Sequence, residues 1–309
     1  MDVSVLVYNA SHPLERKQAP TYLTSRTQLH IEVIIVTEPE KPGIEFPSVL
    51  DRAYKDYKRH MKVGDIMSRD VFTTTAETPM AKAAMIMGEQ HIGSLIVMKF
   101  GTPVAIVTER DLLSKVLAGG LDLDTTLVEQ VMSYPLIKIC PTLEIREAAR
   151  TMIHKKGRLV VFECGELVGV ITASDLIREM PDGPETSLRV DDFMTREIVS
   201  VKEDETVATV ARIMGAKRVG SVIVTHDGKP SGIFTERDLL STFLVHGKPL
   251  DSPVGIASSS PLKTAPAGIS IHEAAKIMAA QHVRRLPLMK KKQLAGIITA
   301  RDLVEAYAK

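Results

Sequence analysis

The chain has 309 residues, of which 44% are hydrophobic and 25% are charged. Its 39 basic and 38 acidic residues leave a net charge of +1, which provides no global field to attract nucleic acid or an anionic membrane. Cys140 and Cys164 have no CxxC spacing, which favours a reducing compartment over a disulfide framework. The longest apolar runs, such as Ile31–Val36, are too short to cross a bilayer, and no secretory signal pattern opens the chain. We therefore expect a soluble, cytoplasmic protein.

The first sixty residues share no pattern with the rest of the chain. Val3–Tyr8 and His30–Thr37 predict strands, and the proline-rich stretch Glu38–Pro47 predicts a linker. Ser48–His60 predicts a helix that is capped by its first residue. This extension either packs against the following unit or docks a partner protein, and the sequence leaves both interpretations open.

After this extension, one pattern occurs four times. In each copy an apolar run ends at a Thr, and an Asp three residues later lies at the start of a helix. Successive threonines are 64, 63 and 64 residues apart, which indicates one supersecondary unit used four times. We number the units 1 to 4 after these tetrads, which read TERD at Thr108–Asp111, TASD at Thr172–Asp175, TERD at Thr235–Asp238 and TARD at Thr299–Asp302.

The four units are alike in alternate pairs. Residues 63–120 align with residues 190–247 without a gap, and 25 of the 58 positions are identical. Units 2 and 4 resemble each other through the motif Ile-x-Glu-Ala-Ala and through Ile-Thr-Ala-x-Asp at the tetrad. The pattern indicates a module of two units that was itself duplicated.

Each unit contains its predicted elements in the same order: a short strand, a helix, a hairpin of two strands, and a helix that begins at the tetrad. Apolar residues at i, i+3, i+4 and i+7 predict one buried face on each first helix. The first strands are predicted at Phe72–Thr75, Ile137–Ile139, Val199–Val201 and Leu262–Thr264, and the hairpins begin at Ser94–Val97, Leu159–Phe162, Ser221–Val224 and Leu286–Met289. The buried faces are Met80/Ala83/Ala84/Met87, Ile145/Ala148/Ala149/Met152, Val207/Val210/Ala211/Met214 and Ile271/Ala274/Ala275/Met278.

This order predicts an α+β fold built from four β-α-β-β-α units. A unit of roughly 60 residues cannot bury its sheet face alone, so we expect the units to associate in pairs. The predicted division of the chain is an N-terminal extension at 1–60, followed by units at 61–121, 125–181, 187–247 and 251–309.

The tetrad has two interpretations. Thr-x-x-Asp before an apolar run is a form of capping box, in which each side chain bonds to the other residue's backbone N–H. The same turn also exposes the first amides of a helix, where Thr hydroxyls and Arg110, Arg237 and Arg301 could bind phosphate. The Asp would repel phosphate but could accept hydrogen bonds from two adjacent ribose hydroxyls. A nucleotide therefore suits the tetrad as a ligand.

The chain resembles proteins with four CBS domains, arranged as two tandem pairs called Bateman modules. The resemblance covers residues 63–309, about four-fifths of the chain. It rests on motifs that recur in register: Asp-x-Met-[Ser/Thr]-Arg at Asp65 and Asp192, Gly-Ser before the hairpin, Arg-Arg-Leu-Pro at Arg284–Pro287, and the tetrads themselves.

The resemblance implies a non-enzymatic regulatory protein that binds an adenosyl ligand (AMP, ADP, ATP or S-adenosylmethionine) in clefts between paired units. It implies that the Asp binds ribose, that the Thr and nearby basic residues bind phosphate, and that adenine lies near the first strand. Neither a metal nor a catalytic cofactor is expected. The residues so implied are Thr108, Arg110, Asp111, Thr172, Asp175, Thr235, Arg237, Asp238, Thr299, Arg301 and Asp302.

We rank these four sites by their departures from the shared pattern. Unit 1 has Ala105 where the other units have Gly, and this extra methyl group could crowd a pocket. Unit 2 has Ser174 in place of the tetrad Arg. Units 3 and 4 are therefore the strongest predicted sites and unit 2 the weakest. Arg284 or Arg285 could add charge to the site of unit 3.

Two other classes of function compete with the sensor. In a structural adaptor, the tetrads would only cap helices and an exposed face would dock a protein partner. An enzyme is disfavoured, because the repeats leave about sixty residues for a catalytic domain and no glycine fingerprint is present. We also expect an unidentified regulated protein as partner, with the modules packing within one chain or across a homodimer.

Overall fold

The structure is a computed structural model that describes residues 60–179 and 188–309 in full, and three strands before residue 60. The chain divides into two compact parts, Met1–Ala53 and Tyr54–Lys309. In the N-terminal part, strands β1 (Leu6–Tyr8), β2 (His12–Arg16) and β3 (Ile34–Thr37) form a sheet in the order β1-β3-β2. Strand β3 is parallel to β1 and antiparallel to β2.

The sequence predictions for this part agree with the structure only partly. Strands β1 and β3 lie within the two predicted strands, whereas β2 was not predicted because HPLER has no alternation of apolar and polar residues. The predicted linker Glu38–Pro47, and all of the predicted helix except His60, lie outside the described residues.

The larger part contains four three-stranded sheets among its described residues, one in each unit. In every sheet the central strand is parallel to the first strand and antiparallel to the third, which follows it through a tight turn. The strands are β4 (Thr73–Thr75), β5 (Ser94–Lys99), β6 (Thr102–Thr108), β7 (Ile137–Ile139), β8 (Leu159–Glu163), β9 (Glu166–Ile171), β10 (Ser200–Lys202), β11 (Ser221–His226), β12 (Lys229–Thr235), β13 (Ala265–Pro266), β14 (Arg285–Lys290) and β15 (Gln293–Thr299).

Helices cover these sheets, so the predicted α+β class is confirmed. All sixteen residues of the predicted helical faces are buried. The helices are α1 (Val63–Ile66), α2 (Met80–Glu89), α3 (Glu109–Asp111), α4 (Val128–Val131), α5 (Ile145–Lys155), α6 (Ala173–Arg178), α7 (Val207–Lys217), α8 (Glu236–Asp238), α9 (Ile271–Ala280) and α10 (Ala300–Ala308), with 3₁₀ turns at Val190–Asp192 and Val254–Ile256 and π-helical turns at Leu112–Leu117 and Leu239–Leu244.

The first strand of unit 4 lies after its predicted position. The prediction was Leu262–Thr264, whereas β13 is Ala265–Pro266. Ala265 pairs with Leu288 and is buried, as Val201 is where it pairs with Val224 in unit 3. The position of the buried residue therefore decides the register of each first strand. A stretch of three residues is too short to reveal that position from the sequence.

Paired units exchange their leading segments. The segment before each first strand pairs not with its own sheet but with the third strand of the partner unit. The isolated bridges that show this are Ser68 with Val170, Ser133 with Ile106, Thr195 with Ile297, and Ser259 with Ile233. Units 1 and 2 are thus interlocked as one module, and units 3 and 4 as a second.

A glycine allows this close approach in three units. A Cβ atom would lie 2.6 Å from Met67 Sδ at Gly169 and 2.5 Å from Met194 Sδ at Gly296, and Gly232 is equally restricted by Ser258. Unit 1 has the buried Ala105 at this position. The position contacts the partner unit's leading segment, and Ala105 does not line the cavity described below.

The two modules pack through like units. One apolar core joins units 2 and 4, with Met152, Met278 and Leu303 among its buried residues. Units 1 and 3 meet at two helix crossings. Helix α2 of unit 1 crosses the π-helical turn of unit 3, and helix α7 of unit 3 crosses the π-helical turn of unit 1. A Cβ at Gly215 would lie 2.4 Å from the carbonyl oxygen of Leu113, so this crossing brings the two backbones into contact.

Candidate functional site

All four units line a cavity of about 1000 Å³. It lies where the third strands end and the tetrad helices begin, so that the tetrads contribute to its wall. The structure brings nine of the eleven predicted site residues to this wall, and Thr235 and Asp238 are not among them. The nine are Thr108, Arg110, Asp111, Thr172, Asp175, Arg237, Thr299, Arg301 and Asp302.

Each tetrad forms its own hydrogen bonds. In unit 4 the backbone N–H and the hydroxyl of Thr299 both donate to Oδ2 of Asp302, at 2.8 and 2.7 Å. Units 1, 2 and 3 repeat both bonds. The predicted capping interaction is therefore present in every unit, and it uses only one oxygen of each Asp.

The second oxygen, Oδ1, differs among the units. Oδ1 of Asp111 lies 2.7 Å from Lys115 Nζ and accepts a hydrogen bond from Ser133. Oδ1 of Asp175 lies 3.7 Å from an Arg178 nitrogen. Among the described residues, no hydrogen bond or ion pair involves Oδ1 of Asp238 or Asp302. Units 3 and 4 thus retain a free carboxylate acceptor.

Burial raises the pKa of Asp238 and of Asp302, and the hydrogen bonds from Thr235 and Thr299 partly oppose this rise. A raised carboxyl pKa means that the ionised form lacks part of the solvation it would have in water. Hydroxyl donors on a ligand could supply that solvation.

Two glutamates at the wall of the cavity were not predicted. Glu109 and Glu236 directly follow the tetrad threonines of units 1 and 3, and only 3% and 8% of their side-chain surfaces are exposed. Glu236 accepts a hydrogen bond of 2.7 Å from Arg285. It also lies 3.6 Å from Arg110, and Glu109 lies 3.7 Å from Arg284.

A signal for these pairs exists in the sequence. Glu follows the tetrad Thr only in units 1 and 3, whereas units 2 and 4 have Ala there and instead carry Arg158 and Arg285 at the start of their hairpins. The glutamates therefore occur in units 1 and 3 and the complementary arginines in units 2 and 4, which is the same alternation by which the units resemble one another. The sequence predictions used the Thr, Arg and Asp of each tetrad but not its second residue, so this match of charges between units was not predicted.

The charges in this group shift one another's pKa values. Burial alone would raise the pKa of Glu236, but the charges of Arg285 and Arg110 outweigh it and hold the pKa below its ordinary value. Burial lowers the pKa of Arg284 to about 10, against the attraction of Glu109. Burial also lowers the pKa of Arg158. Glu236 and Arg284 are therefore both charged at neutral pH.

The Gly-Ser motif before the hairpins makes room for these pairs. A Cβ at Gly220 would lie 2.0 Å from Arg285 Nη2 and 2.7 Å from Glu236 Oε2. A Cβ at Gly93 would meet Arg158 Nη2 at 2.6 Å and a Glu109 oxygen at 2.8 Å. Glycine is thus required where a strand passes beside a buried ion pair.

Four basic residues also line the cavity, one from each unit. His91, Lys156, Arg218 and His282 follow their first helices with φ values of 53°, 55°, 54° and 53°. His91 and Arg218 each follow a helix and line the cavity. The cavity wall thus carries basic side chains from every unit, alongside the carboxylates described above.

The remaining candidates lie elsewhere. The turn between β14 and β15 contains Lys291 and Lys292, which therefore lie at the tip of a hairpin. In residues 60–179 and 188–309, no group of three His, Cys, Asp or Glu side chains could hold a metal ion. No helix in the described part of the chain is long and apolar enough to cross a bilayer.

Comparisons with known proteins agree with this architecture. Uncharacterized protein MJ1404 of Methanocaldococcus jannaschii is 29% identical over 268 residues, which are 80% of this chain but only 62% of that protein. Inosine-5'-monophosphate dehydrogenase of Thermoplasma acidophilum is 34% identical over 136 residues, covering 42% of this chain and 26% of that enzyme. The chain thus spans less than two thirds of both relatives.

A solved structure and a family profile cover the repeats. The crystal structure of MJ1225 from Methanocaldococcus jannaschii matches with a TM-score of 0.67 and 23% identity, over 80% of this chain and 100% of that chain, which shows the fold alone. The profile of the CBS domain matches residues 63–118, 128–182, 190–244 and 255–309. The chain belongs to the CBS domain family and contains four copies of that domain.

Proposed function

We propose that this chain is a regulatory protein that binds an adenosyl ligand (AMP, ADP, ATP or S-adenosylmethionine) in the cavity. CBS domains are generally regulatory and often bind such ligands. The single observation that supports the proposal best is Asp302, which has a free Oδ1 and lines the cavity together with Thr299 and Arg301.

In this proposal each part of the ligand has a partner of matching chemistry. The two ribose hydroxyls donate to Oδ1 of Asp302, whose ionised form burial leaves short of solvation. Phosphates accept hydrogen bonds from arginines such as Arg301, and from the hydroxyl of the tetrad Thr once it turns away from the Asp to which it donates. Binding would regulate by favouring one relative arrangement of the units, to the extent that the ligand prefers it.

The free carboxylate oxygens and the cavity lining support a proposed order of the four sites. Unit 4 comes first, because Asp302 is both free and on the cavity wall. Asp238 of unit 3 also has a free oxygen, but it does not line this cavity, so its ligand would bind elsewhere in the module. Thr108/Asp111 of unit 1 would first have to release Lys115, and Thr172/Asp175 of unit 2 lack a tetrad arginine.

Thermal denaturation with a panel of ligands tests the proposal. We expect AMP, ADP, ATP or S-adenosylmethionine to raise the melting temperature, while ribose 5-phosphate and GMP serve as controls for the adenine. A ligand at 100 times its Kd should add about 2.7 kcal/mol to the free energy of unfolding. The Asp302→Asn variant should lose most of this shift.

A matched control separates binding from capping. Asp192 accepts the backbone N–H of Arg189 in a similar cap and does not line the cavity. Asp192→Asn should therefore keep the full ligand-induced shift. Equal shifts in the wild type and in Asp302→Asn, or no shift with any adenosyl compound, would refute the assignment of unit 4.

The adaptor is the second candidate, and the capping bonds that each tetrad forms within itself favour it. It predicts that the supernatant of heat-denatured protein contains no nucleotide, and that a regulated partner binds equally well with and without adenosyl compounds. We further propose that the chain has no enzymatic activity, for which an assay of turnover with IMP and NAD is a direct check.

A further inference from the structure

The two buried glutamates each face arginines of both modules. Glu236 of unit 3 bonds to Arg285 of its own module and lies near Arg110 of the other. Glu109 of unit 1 lies near Arg284 of the other module, and a Cβ at Gly93 would touch both Glu109 and Arg158 of its own. The carboxylates therefore lie at the junction of the modules and at the wall of the cavity.

Their hydrogen bonding is incomplete. Oε1 of Glu109 and Oε1 of Glu236 are buried without a hydrogen-bond donor, and Arg237 Nε is buried without an acceptor. Buried polar atoms in folded proteins nearly always have partners, and unpaired ones destabilise the fold. The protein's own donors therefore leave one oxygen of each carboxylate without a hydrogen bond.

The contacts within a module and those between modules differ in strength. Arg285 meets Glu236 at 2.7 Å, a full charge-assisted hydrogen bond. The pairs between modules, Arg110 with Glu236 and Arg284 with Glu109, are longer, at 3.6 and 3.7 Å. An anion that entered the cavity would therefore take over the pairs between modules first.

We propose that Glu109 and Glu236 compete with anionic ligands for Arg110 and Arg284, and so determine how much negative charge the cavity accepts. A carboxylate and a phosphate offer a guanidinium group the same kind of paired oxygen acceptors. Five arginines line the cavity together with these two glutamates: Arg110, Arg158, Arg237, Arg284 and Arg285. An anion is thus admitted, but at the expense of the ion pairs that join the modules.

Titration with tripolyphosphate and with inorganic phosphate, followed by calorimetry at constant ionic strength, tests this inference. Glu109→Gln and Glu236→Gln keep the size of the side chain but remove its charge. We expect each to bind tripolyphosphate at least tenfold more tightly than the wild type, and inorganic phosphate with a smaller gain. Glu236→Asp keeps the charge and should bind like the wild type.

Glu197→Gln is the matched control, because Glu197 is an exposed carboxylate on the same cavity wall. Its affinity should change less than twofold. An equal gain in Glu197→Gln would show a general effect of charge and would refute the proposal. Unchanged affinity in both Glu109→Gln and Glu236→Gln would also refute it.

The inference rests on the proposed function only because both require that an anion enters the cavity. Because the probes contain no adenosine, a failure of the adenosyl proposal remains distinguishable.

Discussion

At the scale of single residues, the side chains of Glu236 and Arg285 give a steric reason for the glycine of the Gly-Ser motif. Gly220 has no room for a Cβ because Arg285 Nη2 would lie 2.0 Å from it. The glycine of the Gly-Ser motif, which serves as a family signal in the sequence, thus leaves the space that a buried ion pair occupies. This links a backbone residue of unit 3 to a side chain of unit 4.

Gly220→Ala should therefore break the Arg285–Glu236 pair. Separating a buried ion pair destabilises a protein by about 3–5 kcal/mol, and we expect an effect of that order in urea denaturation. If the clash is the cause, adding Arg285→Ala to Gly220→Ala should add much less than Arg285→Ala does alone. Additive effects in this double-mutant cycle would contradict the explanation.

Glu236 also predicts a dependence of stability on pH. Its pKa lies below the ordinary value of 4.5, so the ionised carboxylate stabilises the folded state at pH values above 4.5. That contribution is lost as the pH falls through the lowered pKa. The difference in melting temperature between wild type and Glu236→Gln should be largest near neutral pH and should shrink below pH 4.5. A difference that is constant from pH 7 to pH 3 would refute this.

At the scale of elements, the two contacts between modules use different helix surfaces. Units 1 and 3 have Gly88 and Gly215 where units 2 and 4 have Ile153 and Ala279. The glycines lie against π-helical turns, which have no counterpart in units 2 and 4 among the described residues. Irregular helices are frequent at functional positions. Here they allow two helices to cross with their backbones in contact.

Gly215→Ala should destabilise the protein although alanine favours helices. Its Cβ would lie 2.4 Å from Leu113 O and 2.5 Å from Ala118 Cβ, and such overpacking costs about 1–3 kcal/mol. The neighbouring Ala216 is exposed, and Ala216→Gly should cost about 1 kcal/mol through helix propensity. Both substitutions should thus lower the urea midpoint. A rise in Gly215→Ala would show that the crossing can relax.

Much of the element pattern could be predicted from the sequence, because periodicity reports local burial. The helical faces, the hairpins and the capping bonds of the tetrads all follow from residues within one unit. What could not be predicted depends on contacts between units, as with Glu109 against Arg284 or the register of Ala265. The sequence likewise does not distinguish Asp238 from Asp302, which have similar local sequences but different positions relative to the cavity.

At the scale of the whole molecule, the core that joins units 2 and 4 couples the two modules. Leu303 is fully buried in it, together with Met152 of the other module. Leu303→Ala should reduce the free energy of unfolding by about 2–5 kcal/mol. Because the core is shared, residues 60–309 should still unfold in one transition by calorimetry. Two separate transitions, with only one affected, would show that the modules unfold independently.

The exchange of leading segments has a consequence for building chimeras of related chains. The CBS profile matches unit 2 from residue 128 onward, yet Ser133, which lies inside this match, pairs with Ile106 in the sheet of unit 1. A crossover at residue 128 would join one parent's sheet to the other parent's edge segment. A crossover after Ser133 or Ser259 keeps the sheet of unit 1 or unit 3 with its covering segment, but it separates the sheet of unit 2 or unit 4 from Ser68 or Thr195. A crossover between Arg178 and Arg189 divides the two modules and leaves all four of these bridges within one parent. The border that preserves contacts is therefore the border between modules, not the border between units.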